Sequence, residues 1–134
     1  MRYAVFAGRL LFSVIFILAS AGHFSSGTIE YAVQHGVPMA RLFVPCSGVI
    51  ALMGGLSVLV GYQARLGAWL LVLFLVPVTL VMHNFWAAPA AAVAIEKAMF
   101  MKNLTMLGGA LLISYFGAGP LSLDAFAGGR VARA

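Results

Sequence analysis

The chain has 134 residues, 63% of them hydrophobic and 8% charged, with a formal net charge of +5 and a mean hydropathy of +1.07. A soluble domain carries about 25% charged residues, so this composition excludes one and points to a single all-α integral membrane domain over 1–134. The basic residues are spread along the chain rather than clustered, so no nucleic-acid partner is expected, and the single Cys46 excludes an internal disulfide framework.

The first apolar span is read over about 3–22. Ala19-Ser20-Ala21 imitates a signal-peptidase site, but Arg9 interrupts the apolar run, so the helix is read as retained. Arg9, Ser13, Phe16, Ser20 and His23 are spaced 4, 3, 4 and 3 apart. That spacing puts every polar group of the helix on one stripe, which should face other helices rather than lipid. Residues 24–41 read as a loop. Ser25-Ser26-Gly27-Thr28 is a helix-start signal, and Thr28 to Gln34 fits one or two turns of interfacial helix ended by Gly36 and Pro38.

The second span is read over about 42–62, with Pro45 in its first turn, where proline is tolerated. Ser47, Gly54, Ser57 and Gly61 share a face, and Ala51 with Gly55 adds a small pair. Small residues let helix backbones approach closely in lipid. The short link 62–65 makes the second and third spans antiparallel neighbours.

The third span, about 66–86, carries no charge from Leu66 to Met82 and stops at His83-Asn84. Trp69 and Trp86 stand at its two ends, roughly 26 Å apart at about 1.5 Å per residue, close to the hydrocarbon thickness of about 30 Å. Tryptophans at such positions are interface anchors. After Trp86, residues 90–101 have helix-forming composition, with Glu96 and Lys97 read as a solvated pair at the interface. The fourth span is read over about 102–118, borrowing length from the segment before it, with Gly108, Gly109 and Thr105 offering a packing surface. Gly117-Ala118-Gly119-Pro120 ends it.

Four spans place both termini on one side, with interfacial segments after the first and third. Arg2, Arg9, Arg65, Arg130 and Arg133 fall on the terminal side, and Arg41, Lys97 and Lys102 on the other. The excess places the termini in the cytoplasm. The opposite face then collects His23, His35, His83, Asn84, Glu30, Glu96, Lys102, Asn103 and Cys46.

Short patterns along the whole chain resemble one family. They are Gly8-Arg9-Leu10-Leu11, Gly22-His23-Phe24, Gly36-Val37-Pro38, Gly54-Gly55, Gly61 followed by Arg65, His83-Asn84-Phe85-Trp86, Lys102-Asn103-Leu104 and Leu121-Ser122-Leu123-Asp124. In this order and spacing they resemble the DoxX family of small four-helix membrane proteins. The resemblance implies a four-span bundle in a prokaryotic cytoplasmic (inner) membrane. It also implies kinship with a subunit of a thiosulfate:quinone oxidoreductase, although many relatives have no established activity. Two departures stand out: relatives often carry lysine where His23 stands and glutamate where Ala51 stands. The missing carboxylate weakens the transfer of a proton-coupled redox role.

The candidate ligand site is His23, His83, Asn84, Lys102 and Asn103. A quinone needs hydrogen-bond donors at its carbonyls and a proton acceptor near neutral pH, and histidine supplies both. The bland alternative is that these residues cap helix ends and bridge to headgroups. Arg9 and Asp124, both on the terminal face, form a candidate structural ion pair, with anionic-lipid binding as the alternative. No HxxxH or CxxC spacing supports a metal site, and the seven methionines fit bundle packing. The function expected is a membrane subunit of an oxidoreductase complex binding a quinone or small redox substrate. The alternatives are a non-catalytic scaffold for a partner protein and a lipid-binding bundle. The partners expected are the bilayer and either a protein of such a complex or further copies of the chain. The residues do not decide whether the chain is itself an enzyme.

Overall fold

The computed structural model describes residues 1–131. Arg133, counted above for orientation, lies outside the described residues. Helix α1 runs Arg2–Ser20 and closes in a 3₁₀ turn at Ala21–Phe24. It is followed by α2 (Ser26–Gln34), α3 (Ala40–Val60), α4 (Ala64–Met82), α5 (Val93–Phe116) and α6 (Leu123–Val131). Four of these, with α1 counted through Phe24, are long and apolar enough to cross a membrane. Among the described residues there is no strand.

The order of packing follows from where the small residues lie. Helix α1 packs on α3, α3 on α4, and α4 on α5, so α3 has two packed faces and needs small side chains on both. Toward α4, Gly54 and Gly67 meet: a Cβ on Gly54 would stand 2.8 Å from Leu71 and 2.9 Å from the Gly67 carbonyl, and a Cβ on Gly67 would collide with Ser57. Toward α1, a Cβ on Gly55 would lie 3.2 Å from Phe16, and one on Gly48 would press on His23. Lipid supplies no hydrophobic drive between helices, so close van der Waals approach is what holds such a bundle together. Phe16, Ala51, Val58, Ala68, Leu71, Phe74, Leu75 and Ala110 fill the core. The fourth helix contributes less. On its side only Asn103 and Ala110 are buried, and Phe12 of α1 packs toward the space over Gly109, while Gly108 faces open space.

The polar stripe of α1 behaves as its spacing implies: Arg9, Ser13, Phe16 and Ser20 are its buried residues. Leu10, Leu11, Val14 and Leu18 point outward, where acyl chains solvate them. Helix α2 starts where the Ser25 hydroxyl accepts the Thr28 N–H at 3.3 Å, an N-cap, and Gly36 follows it at φ +75°.

Three boundaries differ from the sequence reading. Residues 93–101 are not a separate interfacial piece but the first turns of one continuous α5. The segment between the third and fourth spans is instead a run of turns, with Phe85 N–H bonded to His83 O at 2.9 Å, Ala87 to Asn84 at 2.9 Å and Ala92 to Pro89 at 2.8 Å. Pro45 falls in the second turn of α3, because that helix begins at Ala40. One lost backbone bond there is tolerable where neighbouring helices cover the site.

A cluster of histidine, glutamate and tyrosine at the end opposite the termini

Helix α4 ends at Met82, and His83 leaves the helical region with φ −124° and ψ 39°. The turns that follow bring the chain back so that α5 starts beside it. Glu96 stands in the first turn of α5, where the helix dipole favours a negative charge. Its Oε2 lies 2.8 Å from Nδ1 of His83, with both side chains more than four-fifths buried. Its Oε1 accepts a hydrogen bond from the Tyr31 hydroxyl at 3.3 Å. Three separate elements, α2, the end of α4 and the start of α5, are thus joined through one carboxylate. Burial, and then the neighbouring Glu96 charge, push the Tyr31 phenol above its ordinary pKa, since both disfavour a phenolate.

The cluster extends on two sides. The Tyr31 and His35 rings stack with centroids 4.2 Å apart, and Nδ1 of His35 lies 2.9 Å from the Tyr31 carbonyl. Phe85, Trp86 and Phe100 form a trio of edge-on contacts at 5.3 to 5.8 Å. A cavity of about 520 Å³ opens between α2 and the 84–92 turns, lined by Tyr31, Gln34, His35, Asn84 and Glu96 with alanines and Pro89. Its walls therefore offer phenol, amide and imidazole groups around one carboxylate.

The residues singled out from the sequence do not all meet here. His83 and Asn84 do. His23 packs edge-on against Phe74 at 5.5 Å, nine residues before His83, with its Nδ1 3.0 Å from the Ala19 carbonyl. Lys102 is exposed, and its ammonium reaches Met99 Sδ at 3.4 Å. Asn103 is buried within the bundle. Glu96 is the residue the sequence reading missed as a site residue: it is not a solvated partner of Lys97 but the centre of the cluster. The one signal available was an acid in the opening turn of a helix following a histidine turn.

At the other end, Arg9 and Asp124 do not form the direct ion pair expected of them. Among the described residues the single side-chain ion pair is His83 with Glu96. Arg9 instead donates Nη1 to the Ala118 carbonyl and Nη2 to the Leu121 carbonyl, each at 2.7 Å. Asp124 accepts the N–H groups of Gln63 and Ala64 at 2.8 and 3.1 Å. Each charge caps backbone left open by a helix end, which suits a 4% exposed guanidinium better than one carboxylate would. Among the described residues, no three of His, Cys, Asp and Glu converge on a point.

Four apolar spans around a core of small residues, with polar clusters confined to the two ends, define a polytopic helical membrane protein. Residues 4–84 match the sequence profile of the DoxX family, and the chain belongs to that family. It is similar to the inner membrane protein YqjF of Escherichia coli, 32% identical over 122 residues that cover 90% of this chain and 88% of that one. Inner membrane protein YphA of the same organism is 28% identical over 73% of this chain and 70% of its own. The ER-derived vesicles protein ERV29 of Saccharomyces cerevisiae is 27% identical over 91% of this chain, which spans 33% of that longer protein. No solved structure matches the chain.

Proposed function

We propose that this DoxX protein is the membrane subunit of an oxidoreductase complex and binds a quinone, or a small redox substrate of similar acceptor chemistry, at the end of the bundle that carries His83. The observation that carries the reading is the Tyr31–Glu96–His83 cluster beside a cavity of about 520 Å³, a size within the usual range for small-ligand sites. Glu96 holds His83 through Nδ1, which fixes the ring and leaves Nε2 for a ligand. Tyr31 and Asn84 add donors for carbonyl oxygens. Converting a quinone to its hydroquinone takes two electrons and two protons. The electrons come from a partner protein or a directly bound donor, and the His83–Glu96 pair relays the protons, a role suited to imidazole near neutral pH. His83, Asn84, Glu96 and Tyr31 form this site, with His23, Lys102 and Asn103 outside its first contacts.

The relatives from Escherichia coli, both inner membrane proteins, support an inner-membrane location. The arginine excess on the terminal side supports cytoplasmic termini.

The test is native mass spectrometry of the chain extracted with its own lipids and partners. The expected result is bound quinone together with a partner chain, with quinone lost in His83→Ala while helix content by circular dichroism is unchanged. A bundle that carries no quinone, or carries it equally in His83→Ala, overturns the reading.

A further inference from the structure

A second cavity, of about 560 Å³, lies at the terminal end, between the start of α4 and the turn from α5 into α6. Arg65, Leu66, Gln63, Phe116, Ser122 and Asp124 line it. The charges around it do not cancel. Asp124 spends both oxygens on the Gln63 and Ala64 N–H groups, and Arg9 spends both terminal nitrogens on carbonyls. Arg65 is exposed, and among the described residues its guanidinium has neither a hydrogen-bond partner nor a carboxylate within ion-pair distance. The Ser122 hydroxyl is likewise committed, donating to Gly119 O at 2.6 Å and accepting from Ala125 N–H. One cation with a free planar fork therefore faces a cleft whose other polar groups are already occupied.

The level of this cleft is also marked. Tyr62, Trp69, Tyr115 and Phe116 are each more than half exposed at this end, the aromatic belt that sits among lipid headgroups. Below the cleft the exposed surface is apolar, with Leu66 at 57% and Leu112 at 61%. A ligand that fits both halves carries a phosphate, which matches the arginine fork, above hydrocarbon chains. We propose that the Arg65 cleft binds the phosphate of an anionic phospholipid whose acyl chains lie along α4 and α5. This site is separate from the histidine cluster and does not depend on it.

The full chain, exchanged into neutral detergent, is to be titrated with phosphatidylglycerol and with phosphatidylcholine of matched acyl chains, and bound lipid counted by native mass spectrometry. Phosphatidylglycerol is expected to be retained about tenfold more strongly, the scale of one charge-assisted hydrogen-bonded contact. Arg65→Gln should remove the preference. Arg65→Lys should keep part of it, and Arg2→Gln, a change of the same charge at the same membrane face, should keep all of it. Equal retention of the two lipids by the unmodified chain overturns the proposal, whatever the stability of the variants. So does an equal fall in Arg65→Gln and Arg2→Gln, which would mean diffuse attraction to a basic surface. Inorganic phosphate alone should leave the melting temperature unchanged. A phosphate-induced rise that disappears in Arg65→Gln would overturn the lipid assignment in favour of a free anion site.

Discussion

His83 Nδ1 lies 2.8 Å from Oε2 of Glu96, tying the end of the third span to the start of the fourth. Because the same carboxylate also holds Tyr31 of α2, one side chain fastens an interfacial helix to the bundle. Glu96→Ala should therefore cost about 1–3 kcal/mol, the cost of leaving buried hydrogen-bonding groups unpaired. The loss should appear locally. Hydrogen exchange across Ser26–Gln34 should speed up, while the cores of α3 and α4 keep their protection.

Tyr31 gives this arrangement a titration signature. Its pKa is raised first by burial and then by Glu96, so folding favours the neutral phenol. That contribution to stability is present below the ordinary tyrosine pKa and is lost as pH rises through the elevated one. Of the four tyrosines, Tyr31 should ionise late in an absorbance titration at 295 nm, with Tyr31→Phe identifying it. Glu96→Gln should move its pKa only part of the way back, because burial remains.

Arg9 and Asp124 should behave as two caps rather than as one pair. Arg9→Leu leaves the Ala118 and Leu121 carbonyls unpaired and should cost about 3 kcal/mol. Asp124→Ala uncaps α4 and should cost about 1 kcal/mol. Asp124→Asn should cost less than Asp124→Ala, since an amide oxygen still accepts one N–H. Thermal unfolding in detergent orders the three. A direct ion pair would instead make Asp124→Asn nearly as harmful as Asp124→Ala.

Gly54 and Gly108 supply a matched contrast in membrane packing. Gly54→Val drives a branched side chain into Leu71 and the Gly67 carbonyl and should lower stability by about 1–3 kcal/mol or more. Gly108→Ala meets nothing within 4 Å and should be neutral or slightly stabilising, since alanine is the better helix former.

The orientation proposed from charge is checked with single cysteines in a Cys46→Ser background. A membrane-impermeant maleimide added to intact spheroplasts should label Gln34→Cys and not Arg2→Cys. The reverse pattern would place the His83 end in the cytoplasm.

What the sequence determined by itself is what lipid dictates. Hydrocarbon tolerates neither open backbone nor stray charge, so the uncharged run from Leu66 to Met82, the one-sided spacing of Arg9, Ser13 and Ser20, and the small residues of α3 had to mean helices packed in a membrane. Which end each polar residue occupies followed from counting crossings. What only the tertiary structure decided is which polar groups touch. Glu96 finds His83 and Tyr31 because the turns from 83 to 92 fold back over the bundle end, a geometry set by Pro89 and local hydrogen bonds that no periodicity encodes. Arg9 passes over Asp124 for two carbonyls for the same reason: the 117–122 turn places backbone acceptors within reach of its guanidinium. The bilayer constrains side chains strongly in its apolar interior and weakly at its surfaces, so pattern sufficed for the spans and contact geometry was needed for the ends.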